Sequence, residues 1–238
     1  QPPKTIHSTT SSTNNTTTVD PPIVFIHGVG IGLVTYLPFL LKLCAKNKHR
    51  QIMLIELPHV SMKLCLHPDD VPTMPELALT IKKAMKKHDF KSASWIAHSL
   101  GTFVFAAVNR LQPELVHSVL LIDPVCFLLW EFTITRNFCY RMPTDAMQFV
   151  MYYHVCKELT ICNFFHRHFY WHECVLLAED LPSNTTIYTS EKDDIYDVGR
   201  VLEYLSRYID DNTKNIKLNA FKGAGHGAWI LDSTNTEE

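Results

Sequence analysis

Short apolar runs alternate with longer, one-sided apolar segments from residue 23 onward. Ile23-Val24-Phe25-Ile26-His27 is brief, β-branched and aromatic, the pattern of a buried strand. A glycine-punctuated loop, Gly28-Val29-Gly30-Ile31-Gly32, leads to an apolar helix from about Tyr36 to Ala45, with Pro38 in its first turn. Gln51 to Leu57 reads as the next strand. A loop holding Pro58, Pro68, Pro72 and Pro75 then precedes a helix from Glu76 to about Lys87, whose lysines form a solvated face. Ala93 to Ile96 is a third strand, followed by a helix over Thr102 to Leu111 that Pro113 stops. Val116–Ile122, Thr185–Thr189 and Asn215–Phe221 are further strands, and Val198 to Tyr208 is a helix. Strand and helix in alternation predict an α/β fold, a mostly parallel doubly wound sheet. Ligands of such sheets sit beyond the carboxyl ends of the strands, where His27, Ser99, Asp123 and His226 fall.

Two segments depart from the alternation. Residues 1–21 are rich in Ser, Thr and Asn and read as a flexible polar lead-in. Residues 125–183 separate the fourth and fifth strands and carry many aromatic side chains; they read as a helical lid inserted into a core made of 22–124 and 184–238. Such rings suit a greasy substrate, with Phe127 and Trp130 expected to bind it, or else they glue the lid to the core.

Composition narrows the field. The chain has 238 residues, 46% of them apolar, and a net charge of −2, which gives no reason to expect a nucleic-acid partner. Seven cysteines without a CxxC pair do not form a disulfide framework or a zinc ribbon; most read as reduced, buried residues, which points to an intracellular compartment. Asn14, Asn15 and Asn184 stand in formal glycosylation triplets, which are common by chance. No apolar run is long enough for a membrane span. The chain begins at Gln1, so an upstream segment or anchor stays open, and with it association with a membrane surface.

The pentapeptide Ala97-His98-Ser99-Leu100-Gly101 lies between the third strand and its helix. A serine on such a turn projects its hydroxyl from the sheet, at a helix N-terminus that favours developing negative charge. Its proton needs a base, and His226, in the glycine-rich turn after the last strand, is the candidate. The base needs a carboxylate. The chain order Ser, Asp, His favours the pair after the fifth strand, of which Asp193 is chosen, with Asp194 and Asp123 as alternates. The amides of Leu100 and Val29 are the expected oxyanion donors. No Gly-x-Gly-x-x-Gly is present, so the glycine loop is not a dinucleotide fingerprint. His166, His168, His172, Glu173 and Cys174 cluster in sequence but read as surface and ring-packing residues; neither metal nor cofactor is expected.

Together, His27-Gly28-Val29-Gly30, the elbow at Ser99, Ser190-Glu191-Lys192-Asp193-Asp194 and Gly225-His226 resemble the α/β-hydrolase fold family, in particular its lidded serine hydrolases. The resemblance spans about residues 22 to 233. It implies a sheet lacking the family's first two strands. It also implies cleavage of a hydrophobic carboxylic ester, a small-molecule partner, through an acyl-enzyme. A thioesterase or acyltransferase with the same triad, or a non-enzymatic ligand binder on the same scaffold, are the alternatives.

Overall fold

The computed structural model describes residues 20–63, 70–209 and 214–230. Of the lead-in expected over residues 1–21, residues 1–19, with Asn14 and Asn15, lie outside the described residues, as do Cys65 and Pro68.

Six strands form one sheet: β1 (Ile23–Ile26), β2 (Ile52–Ile55), β3 (Ala93–His98), β4 (Val116–Ile122), β5 (Asn184–Ser190) and β6 (Asn215–Phe221). Their order is β2-β1-β3-β4-β5-β6 and every neighbouring pair is parallel. The register aligns Ile26 with Ala97, His98 with Ile122, and Ser190 with Phe221, so the strands end along a common rim. Alternate residues face opposite sides, as the two-residue period of a strand requires. Val24 and Ile26 join a large core with Trp95 and Ala97, whereas Ile23 and Phe25 join a smaller one with Ile96 and Trp229.

The helices are α1 (Leu37–Lys46), α2 (Met74–Lys87), α3 (Gly101–Leu111), α4 (Thr133–Thr135), α5 (Ala146–Val150), α6 (Leu159–Asn163), α7 (Trp171–Cys174) and α8 (Val198–Ile209). A 3₁₀ turn over Gly32–Tyr36 precedes α1. α2 starts two residues before the apolar period suggests, because Thr73 caps it: Thr73 Oγ1 accepts from Glu76 N at 3.3 Å while Glu76 Oε2 accepts from Thr73 N at 2.8 Å. Between β4 and β5, α4, α5 and α6 run into wide π-type turns over Arg136–Tyr140, Met151–Cys156 and Phe164–His168. Phe169 from this segment stacks on Phe103 of α3 at 5.2 Å, and Phe164 is fully buried. These two rings pack the segment onto the core. Among the described residues no helix is long and apolar enough to cross a membrane.

α3 lies directly against β1, and Gly101 permits the approach. A Cβ there would sit 2.6 Å from the Ile26 carbonyl oxygen and 2.8 Å from that of His27. Backbone cannot yield as a flexible side chain can. Gly101→Ala is expected to cost about 1–3 kcal/mol, typical of overpacking. At about 2–4 °C of melting temperature per kcal/mol for a chain of this size, a calorimetric scan should show a drop of several degrees. An unchanged midpoint would contradict this account of the packing.

Candidate active site

Ser99 directly follows β3 and opens the turn into α3 with φ +49°, a left-handed conformation that costs a non-glycine residue about 1–3 kcal/mol. Neighbouring bonds hold it there. Ser99 N donates to Ile122 O at 3.0 Å, and Ser99 O accepts from Thr102 N at 2.9 Å and Thr102 Oγ1 at 2.6 Å. Gly28 abuts the turn: a Cβ on it would come 2.9 Å from Ser99 Cβ.

His226 reaches this point on the loop after β6, which turns at Gly223 and Gly227 with φ of +68° and +70°. The loop is stitched to the one after β5: Glu191 N donates to Phe221 O at 3.1 Å, Lys192 N to Ala224 O at 2.8 Å, and Gly223 N to Glu191 Oε2 at 2.7 Å. These bonds bring together three side chains from distant parts of the chain. Ser99 Oγ is 2.8 Å from His226 Nε2, and His226 Nδ1 is 2.6 Å from Asp193 Oδ2. Asp193 Oδ1 accepts from Ile195 N at 2.9 Å, which fixes the carboxylate plane.

The other two aspartates have different partners. Asp194 pairs with Arg141 at 2.6 Å and accepts from Gln148 Nε2 at 3.1 Å. Asp123 is fully buried and accepts from Ser190 N at 2.7 Å and Gly227 N at 2.8 Å. Burial works against a charged ring on His226, but Asp193 beside it, with Asp123 and Asp194, lifts its pKa above the ordinary 6.5. Asp123, Asp193 and His226 hold ligand-type atoms within 4.8 Å of one another, the spacing of a cation site. Those carboxylate oxygens and the imidazole nitrogen already serve the hydrogen bonds just described.

No protein-family model matches the sequence, and no curated protein does. Solved structures match at low identity. A carboxylesterase structure from the thaumarchaeon Nitrososphaera gargenis is 13% identical, over 91% of this chain and 86% of that one, with a TM-score of 0.62. Naproxen esterase from Bacillus subtilis is 16% identical over 91% and 80%, with a TM-score of 0.60. A hydrolase from Oleispira antarctica is 12% identical over 91% and 87%, at 0.61. The chain has the α/β-hydrolase fold.

Within that fold the glycine loop after β1 faces the serine. Gly30 N donates to Val60 O at 3.0 Å, which anchors the loop on the turn at Pro58–Val60. His59 of this turn is buried against Phe164, and burial lowers its pKa to about 4. Val29 and Leu100 both line the space in front of Ser99. Neither amide donates to another group among the described residues.

That space is a cavity of about 530 Å³, within the range of small-molecule sites. Two expectations need correction here. Phe127 is buried outside the cavity lining, and Trp130 lies on the surface, edge-on to Tyr204 at 5.9 Å; neither lines the cavity. Phe127 follows β4 so closely that it packs into the core instead. The aromatic wall comes from Tyr36, Phe103, Phe138, Tyr152 and Phe165, with Ile134 and Met151 between them. Most of these lie on the π-turned segment, where neither a 3.6-residue nor a two-residue period marks the inward face. Arg141, Gln148 and Asp194 contribute the cavity's polar side. Of the histidine-rich stretch, His166 bonds through Nδ1 to Cys162 O, while His172 meets the Trp171 ring and Cys174 is buried.

Proposed function

We propose that the protein is a serine hydrolase that cleaves carboxylic esters with a hydrophobic acyl group. The observation that carries this reading is the continuous bond line Ser99 Oγ–His226 Nε2–Nδ1–Asp193 Oδ2, at 2.8 and 2.6 Å, opening onto an apolar cavity. Asp193 takes the Nδ1 proton's hydrogen bond, so Nε2 is left with a lone pair aimed at the hydroxyl. As Ser99 Oγ attacks the ester carbonyl, its proton passes to Nε2, and Asp193 stabilises the imidazolium that forms. The developing oxyanion sits toward the Leu100 and Val29 amides and the N-terminal end of α3. His226 then returns the proton to the leaving alcohol. Water enters by the reverse sequence and releases the acid. The carboxylesterase, naproxen esterase and hydrolase neighbours of the same fold support an ester substrate.

The test combines a fluorophosphonate probe with a p-nitrophenyl ester series from acetate to palmitate. The wild-type chain should be labelled, and kcat/KM should peak at an intermediate acyl length that fills the cavity. Absence of both labelling and turnover across the series would refute the reading. A flat length profile would remove the cavity from substrate selection.

A further inference from the structure

Asp123 is fully buried next to His226, and the reaction just described gives it no task. Its backbone is held at φ +44°, so it is placed there against local preference. An enclosed carboxylate is costly unless donors surround it. Oδ1 accepts from Ser190 N at 2.7 Å, three residues before Asp193, and Oδ2 accepts from Gly227 N at 2.8 Å, one residue after His226. A single side chain thus joins the two loops that must meet. Burial opposes its charge, yet His98, His226 and the Gly227 amide outweigh that and hold its carboxyl below the ordinary range.

The connection extends further. His98 Nε2 faces Asp123 Oδ2 at 3.8 Å, an electrostatic contact too long for a hydrogen bond, and this buried nitrogen has no other partner; His98 Nδ1 is 2.6 Å from Tyr36 Oη, which accepts from Gly28 N at 2.8 Å. With the Gly28 proton pointing at Tyr36 Oη, the Tyr36 hydroxyl proton is directed to His98 Nδ1. That leaves the His98 ring proton on Nε2, toward the carboxylate; the other tautomer would set a lone pair against it. Gly28 directly precedes Val29.

We propose that Asp123 is a positioning residue that locks the Asp193 and His226 loops together, and that His98 and Tyr36 carry the same tie to the glycine loop facing Ser99. The proposal rests on the triad reading above. The groups facing His226 are Asp193, Asp123, Asp194 and the His98 ring, whose centroid is 5.7 Å away.

The experiment follows His226 by NMR titration in the full chain. Amide exchange and the rate of fluorophosphonate labelling are measured alongside, in wild type, Asp123→Asn, Asp193→Asn and Tyr36→Phe. A carboxamide has one acceptor oxygen for two converging N–H groups. In Asp123→Asn the His226 ring should titrate at lower pH than in wild type, and the Ser190 or Gly227 amide should exchange faster. Labelling should slow by about 10- to 100-fold, the scale of one or two lost charged hydrogen bonds, and less than in Asp193→Asn. Unchanged His226 titration with unchanged amide exchange would overturn the proposal. So would a labelling loss as large as that of Asp193→Asn, which would make Asp123 the acid of the triad. Should Asp123→Asn not fold, Tyr36→Phe still decides. It keeps the ring packed on Phe25, and faster Gly28 exchange with slower labelling is expected, without a shift in His226. Unaltered exchange and labelling in Tyr36→Phe would overturn the network. If wild type is not labelled, the triad reading fails, while the titration and exchange data still judge the Asp123 tie.

Discussion

Replacing Ser99 with alanine is expected to lower ester turnover by about 10⁴- to 10⁶-fold, the scale on which removal of an attacking hydroxyl acts in enzymes of this kind. Fluorophosphonate labelling should disappear with it. The fold should remain, because only the Oγ–Nε2 bond at 2.8 Å is lost, a contribution of about 0.5–1.5 kcal/mol. Alanine inherits the strain of φ +49° at this position, whereas glycine does not. Ser99→Gly should therefore be equally inactive but melt at a higher temperature than Ser99→Ala. Retention of even a hundredth of wild-type turnover by purified Ser99→Ala would take the serine out of the chemistry.

Asp193→Asn has the second largest expected effect, about 10⁴-fold in kcat. The amide would present its NH₂ or its oxygen to His226 Nδ1 at the present 2.6 Å, and in the NH₂ orientation it forces the ring proton onto Nε2, the atom that must accept from Ser99. The variant also has a pH signature. His226 must be neutral to act as base, and its pKa is lifted above 6.5. In wild type the acidic limb of kcat/KM should accordingly lie above 6.5. Loss of the Asp193 charge should move that limb to lower pH. Stability follows the same sign: a raised folded-state pKa adds stability that is fully present below 6.5 and is lost as pH rises through the folded value. The destabilisation of Asp193→Asn should thus be larger in acid than in alkali. An unmoved limb, with normal kcat, would show that the acid of the triad is another residue.

The sheet was the most legible part of the chain. β4 and β6 fall where the sequence puts them, for different reasons: interior β4 ends in the apolar run Val119–Ile122, whereas β6, at the sheet edge, sets half-buried Ile216 and Leu218 between exposed Asn215 and Lys217. The elbow was readable for a related reason: small residues at 97 and 101 have a steric cause, which Gly101 shows against Ile26 O. Chain order pointed to the Asp193–Asp194 pair but could not choose within it, since two adjacent aspartates look alike until Ile195 N and Arg141 separate them. The cavity wall was not legible. Phe138, Tyr152 and Phe165 point inward from short helices that widen into π-type turns, and no regular period survives such turns. The Tyr36–His98–Asp123 chain was also hidden, because it joins residues 62 and 25 positions apart through tertiary contact alone.

Parallel strands give the molecule two unequal ends. Ser99, His226, Asp193 and Val29 all occupy the end where the strands finish. The opposite end, where Gln51, Asn184 and Asn215 stand exposed at or beside the first residues of their strands, holds none of them. A surface tether or fusion attached there would leave the cavity entrance unobstructed, so the protein could be immobilised on a support with the face that carries Ser99 turned to the solution.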